Sequence, residues 1–185
     1  NPIYTRRGSQ FTIGLKITPP YSLIRGTTDA QYAQMSTTEK YNLLEYHKWR
    51  FSGKVFTPLT ADSKLVLMAR ADFGYLGHYN KNVKSPFESF YMGGDGMSSY
   101  SSYSTEYISM RGYQSGSLTP YDPATGRNMG YVYNKFTMEL RYPIALEQNA
   151  TIWALAFLEA GNCFADIKDY NPFNLKRSAG VGVRL

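Results

Sequence analysis

Residues 132–142 read VYNKFTMELRY. Val132, Phe136, Met138, Leu140 and Tyr142 fall on one side of an extended chain, and Tyr133, Lys135, Thr137, Glu139 and Arg141 fall on the other. Side chains of a β-strand alternate faces with period two, so this stretch is a strand with one apolar face and one face charged at its middle. The pattern recurs on both sides of it. In FTIGLKIT, Phe11, Ile13, Leu15 and Ile17 oppose Thr12, Gly14, Lys16 and Thr18, and Pro19-Pro20 stops the strand. In KWRFSGKVF, Trp49, Phe51 and Val55 oppose Arg50, Ser52 and Lys54. In KLVLMARADFGY, Leu65, Leu67, Ala69, Ala71, Phe73 and Tyr75 oppose Lys64, Val66, Met68, Arg70 and Asp72. FESFYMGG, TIWALAFLEAGN and RSAGVGVRL bring the count to about seven strands, each roughly the 9–11 residues a tilted strand needs to cross a bilayer. Residues 30–46 suit either a short helix or a surface loop.

Charged side chains at mid-strand suit a water-filled lumen, with the apolar face turned to lipid. A soluble β-sandwich gives the same alternation. The connections separate the two. TPLTADS and PIALEQNA are short, whereas residues 22–45 and 95–130 are long and polar, the asymmetry of an outer-membrane barrel. Composition agrees: of 185 residues, 18% are charged and 16% aromatic, including 17 tyrosines, and mean hydropathy is −0.40. The expected fold is therefore all-β, an antiparallel transmembrane β-barrel. An odd number of strands cannot close a bacterial barrel, and an open edge in lipid leaves backbone groups unpaired. The chain, which begins NPIYTRRGS without an initiator Met, reads as part of one larger barrel domain spanning residues 1–185.

Other classes find little support. The net charge is +6, but no run of five basic residues exists, which argues against nucleic acid as a partner. One cysteine, Cys163, forms no internal disulfide, and with His47 and His78 it is too little for a metal cluster. Gly93-Gly94-Asp95-Gly96 lacks the strand–loop–helix setting and the Lys of a phosphate cradle and reads as a flexible hinge into the long loop. Trp49, Tyr75, Tyr91, Tyr131 and Tyr142 are expected as interface anchors near strand ends.

The long loop, about residues 95–130, carries Arg111-Gly112-Tyr113. With a hairpin centred on Asn149, Glu139 is expected directly opposite Glu159 on the lumen face. Two like charges in register are destabilising, and a cation between them reverses the sign. Arg111 supplies it if the loop folds inward, since a planar guanidinium bonds two carboxylates at once. Gly112 would permit a sharp turn at the wall, and Tyr113 would pack beside it. A local solution is equally open: Arg141 and Lys135 share the face and can neutralise both glutamates without the loop.

MRGY at 110–113 after FYMGG at 90–94, TMELRYPI at 137–144 and FLEAGNCFAD at 157–166 together resemble the BamA-like family of outer-membrane β-barrel assembly insertases. NPIYTRRGSQFTIGLKITPPYS and NPFNLKRSAGVGVRL extend the resemblance over nearly the whole chain. The resemblance implies a sixteen-stranded barrel, of which this chain holds roughly strands eight to fourteen. It implies that Arg111, Gly112 and Tyr113 are the family's loop motif and that Glu139 and Glu159 are its acidic partners in the lumen. It further implies a location in the outer membrane of a Gram-negative bacterium and a non-enzymatic role without cofactors, folding and inserting β-barrel proteins. Implied partners are unfolded outer-membrane β-barrel substrates, accessory lipoprotein subunits and outer-membrane lipid. The family's POTRA domains, first strands and last strand, and the lateral seam they form, lie outside the sequence. A polypeptide translocator of the same superfamily and a passive porin-like barrel are the alternative expectations.

Overall fold

The structure, a computed structural model, describes residues 4–42, 44–80, 84–96, 105–123, 126–147 and 150–185, without the side chains of residues 29, 33 and 37. Six antiparallel strands form one open sheet in chain order: β1 (Gly8–Ile17), β2 (His47–Pro58), β3 (Val66–Gly77), β4 (Val132–Leu146), β5 (Thr151–Phe164) and β6 (Lys176–Arg184). The alternation read from the sequence holds along them. On β1, Phe11, Ile13, Leu15 and Ile17 are exposed, with Ile13 at 76%. On β4, Phe136, Met138, Leu140 and Tyr142 are exposed while Lys135, Thr137, Glu139 and Arg141 are buried, Glu139 to 2%. The molecule is thus inverted relative to a soluble protein, which hides its apolar side chains and exposes its charged ones. Such a sheet suits lipid outside and a polar lumen inside, so the sandwich is excluded and the barrel wall retained.

Two short connections, at 59–65 and 147–150, lie at one end of the wall. The long connections, 18–46, 78–131 and 165–175, lie at the other. The first of these holds three short helices, α1 (Tyr21–Arg25), α2 (Asp29–Gln34) and α3 (Thr37–Tyr41). Reciprocal capping boxes start α2, through Thr28 and Gln31, and α3, through Ser36 and Glu39. The alternatives for residues 30–46 therefore resolve to two single turns of helix joined by extended backbone.

One expected strand is not part of the wall. In FESFYMGG only Phe90–Met92 is extended, and it pairs in parallel with Glu106–Ile108 of the loop. Glu88, with φ +66°, and Gly93, with φ +130°, cut the extended stretch short on either side. Among the described residues the wall therefore has six strands where about seven were expected. The inserted segment is also longer than the 95–130 expected, running from residue 78 to 131 between β3 and β4.

The segment's own apolar centre is Phe90, Met92, Met110, Met129 and Tyr131, packed on Leu76, Tyr133 and Cys163 of the wall. Backbone bonds between Phe90 and Gly130, at 2.8 and 3.0 Å, and from Leu76 N–H to the Tyr131 carbonyl, at 2.7 Å, anchor its two ends. Tyr131 and Tyr91 thus belong to the loop's interior and not to a membrane interface: Tyr131 is 7% exposed, and the Tyr91 ring packs on Tyr107 at 4.9 Å. Trp49 and Tyr142 do face outward. Near the short-turn end a second cluster gathers Tyr4, Val66, Trp153 and Leu155, with the Tyr4 hydroxyl 2.8 Å from the Lys64 carbonyl and 3.0 Å from that of Arg141.

Candidate functional site

The loop is shaped before it is charged. The Gly94 carbonyl accepts from Met110 N–H at 2.8 Å, and Gly94 N–H donates to the Tyr113 carbonyl at 2.9 Å, closing a turn over Met110–Tyr113. Gly112, at φ +83°, makes that turn in the left-handed region where other residues are strained. It also faces β6, where an added Cβ would sit 3.3 Å from the Ser178 Cβ. Tyr113 O–H donates to the Arg177 carbonyl of β6 at 2.9 Å. Met110, fully buried, fixes the turn to the loop's apolar centre.

The turn projects Arg111 onto the two glutamates. Its Nη2 donates to Glu139 Oε1 at 2.9 Å and to Glu159 Oε1 at 2.8 Å. Its Nε donates to Glu159 Oε1 at 3.0 Å, and its backbone N–H to Glu159 Oε2 at 2.8 Å. The guanidinium carbon lies 3.7 Å from the ring centre of Phe157, a cation–π contact from below. Arg141 donates to Glu139 Oε2 at 2.6 and 2.9 Å, Arg184 reaches Glu139 Oε1 at 3.4 Å, and Lys135 lies 3.1 Å from Glu159 Oε1. Lys135 also donates to the Ser109 carbonyl at 2.5 Å. The loop solution and the local solution are thus both in use: Arg111 bridges the pair while Arg141 takes the other oxygen of Glu139 and Lys135 shares Glu159 Oε1.

The register of the two strands is corrected. Glu139 pairs with Phe157, and Glu159 pairs with Thr137, so the carboxylates lie on a diagonal and not face to face. The expected turn residues Gln148 and Asn149 lie outside the described residues. Leu146 pairs with Thr151, and an irregularity between Pro143 and Ala145 then moves the register onward. Pro143 has no N–H for the ladder, so a bulge forms beside it. The net displacement is two residues, which preserves the face, and both glutamates still point inward.

Chemically this is a closed junction. All four carboxylate oxygens have donors, and both glutamates are buried. Among the described residues no group of three or more His, Cys, Asp or Glu side chains is placed to hold a metal ion. His47 instead begins β2 with its ring between Tyr75 and Tyr79, and Cys163 is buried against Gly130. Gly93 is not a flexible hinge. A Cβ there would lie 2.3 Å from the Gln114 carbonyl oxygen, so this glycine allows two backbones to touch. Arg184, Phe157 and the bond from Lys135 to Ser109 were not anticipated. Their faces follow from alternation, but their meeting depends on where the loop lands.

Wall and junction together define a strip of transmembrane β-barrel with an inserted segment locked against its lumen face. The chain belongs to the Omp85 superfamily, whose domain matches residues 4–185; this is a family of outer-membrane insertases and translocators. Among solved structures it is similar to BamA from Haemophilus ducreyi lacking POTRA domains 1–3, with a TM-score of 0.63 at 17% identity over 97% of this chain. The matched region is 32% of that structure's chain, so the present chain spans about a third of its length. At this identity the likeness is one of fold. No curated protein matches the sequence.

Proposed function

We propose that the chain is part of the barrel of an outer-membrane assembly insertase, which folds and inserts β-barrel proteins into the outer membrane of a Gram-negative bacterium. In this reading residues 1–185 belong to one barrel domain of sixteen strands that is preceded by POTRA domains. Its partners are unfolded outer-membrane β-barrel substrates, accessory lipoproteins and lipid, and no bond chemistry is involved. The observation that carries the reading is the bridge from Arg111 to Glu139 and Glu159 on adjacent wall strands. A buried ion pair broken on one side costs on the order of 3–5 kcal/mol, so the loop is held firmly in one place. The bridge keeps β4, β5 and, through Gly112 and Tyr113, β6 in a set relation while substrate strands are handled elsewhere on the barrel.

The test is reconstitution of the full-length protein in liposomes with a urea-unfolded β-barrel substrate, followed by heat-modifiable gel mobility of that substrate. The expected result is rapid folding with the native protein and strong impairment with Arg111→Ala, whose own barrel remains folded. Passage of polypeptide into the vesicle without insertion would select the translocator instead. Ion conductance with neither activity would select a passive channel.

A further inference from the structure

We propose that Lys48 is the centre of a second clasp on the loop, opposite in sign to the first, and that it is a positioning residue for the loop pieces carrying Glu88 and Glu106. Lys48 of β2 pairs directly with Lys16 of β1, and Arg50 follows on the same face. Like charges in direct register repel, and Lys48 is only 2% exposed, so water cannot relieve it. The loop supplies the missing anions. Lys48 Nζ lies 2.8 Å from the Glu88 carbonyl oxygen, 3.0 Å from Glu88 Oε2 and 3.0 Å from Glu106 Oε2. Arg50 takes the other oxygen of Glu106 at 2.8 Å, Lys16 approaches Glu88 Oε2 at 3.3 Å, and the Phe90 ring centre lies 4.8 Å from the Lys48 ammonium.

Local structure is bent to serve this cluster. The parallel pairing of Phe90–Met92 with Glu106–Ile108 places Glu106 beside Phe90, and Glu106 N–H donates to the Ser89 carbonyl at 2.9 Å. Glu88 sits at φ +66°, a left-handed conformation that a glutamate keeps only where its surroundings hold it. Polarity is the informative feature. At β4 and β5 the loop brings a cation to two wall glutamates that Arg141 and Lys135 also contact; at β1 and β2 it brings two anions to the wall cations Lys16, Lys48 and Arg50. A loop seated the other way round would set Arg111 on Lys48 and bring Glu88 and Glu106 to Glu139 and Glu159. These contacts therefore favour the observed seating over the reversed one. The clasps also join β2 to β5, which are separated by β3 and β4 in the sheet, so the loop acts as a strut across the polar face.

The test reads loop exposure and so stands apart from the insertase reading. In full-length protein carrying Cys163→Ala in liposomes, single cysteines report each clasp: Ser89→Cys beside Glu88, and Met110→Cys beside Arg111. Both native side chains are buried. Labelling by a polar maleimide is expected to rise on the order of tenfold or more at position 89 with Lys48→Met, and much less at position 110. Lys48→Arg should keep position 89 protected. Glu106→Gln should mimic Lys48→Met, and the two together should add less than the product of their separate effects. Should Lys48→Met not fold, Glu88→Gln with Glu106→Gln gives the same readout and leaves the wall untouched. Native labelling rates at position 89 in these variants, or fully multiplicative effects, would overturn the proposal.

Discussion

Strand β4 and the inserted segment 78–131 lie against each other, yet they are held by different means. β4 runs for 15 residues with backbone ladders to β3 on one side and β5 on the other. The segment's described extended pieces are only two or three residues long, and beyond the backbone bonds at its Tyr131 end it is seated by side chains: Arg111 on β4 and β5, and Glu88 and Glu106 on β1 and β2. A ladder spreads its stabilisation over many bonds of about 1 kcal/mol each. A clasp concentrates it in a few buried charges. The wall should therefore tolerate single changes that release the loop, and the loop should fail at a handful of positions.

The sharpest way to break this contrast is Glu139→Arg. It adds a cation among Arg111, Arg141 and Arg184, and should cost the loop's seating on the order of 3–5 kcal/mol. Protease should then cut the loop while the barrel keeps its heat-modifiable gel mobility. A wall change should give the reverse pattern. Met138→Arg, on the exposed face of β4, is expected to destabilise the barrel by about 2–4 kcal/mol in urea titration, with the loop still protected in the fraction that folds. Gly93→Ala tests packing without charge. The new Cβ has no room beside the Gln114 carbonyl and forces an unfavourable φ, at about 1–3 kcal/mol, read as faster labelling of Met110→Cys.

The smallest effect concerns Lys84 and Asp166, 2.9 Å apart in the long connections outside the wall. The hydrogen bond from Lys84 holds the Asp166 carboxyl below its ordinary range, ahead of the opposing effect of burial. Because the folded value is depressed, the stabilisation is complete above the unfolded pKa and disappears as pH falls through the folded one. Asp166→Asn should lower the temperature of loop release at pH 7, by a margin that is smaller at pH 3, below the unfolded pKa. Equal effects at both values would mean the carboxylate charge is irrelevant there.

The wall was legible because alternation depends on near neighbours: every inward charge on β4 follows from its position relative to Phe136. The inward facing of Glu139 and Glu159 was legible for the same reason. Their diagonal offset was not, although Pro143 within a strand was a signal that the ladder would be interrupted there. The seventh strand was misread because Phe90-Tyr91-Met92 is an apolar, aromatic run of strand-forming residues, while Pro86 and Gly93 left too little room for a full crossing. Thr28-x-x-Gln31 and Ser36-x-x-Glu39 were local signals for α2 and α3 that alternation alone passes over. The Lys48 cluster had no such signal. Its members are brought together by the fold, from 40 residues apart in the case of Lys48 and Glu88.

The central claim is that one loop arginine is gripped by carboxylates on two neighbouring wall strands. A structure of the full-length protein in a lipid nanodisc tests it most directly. The account requires the Arg111 guanidinium within hydrogen-bonding distance of both Glu139 and Glu159 on the lumen side of β4 and β5. A guanidinium lying in solvent outside the barrel, with the two glutamates satisfied by Arg141 and Lys135 alone, would contradict it.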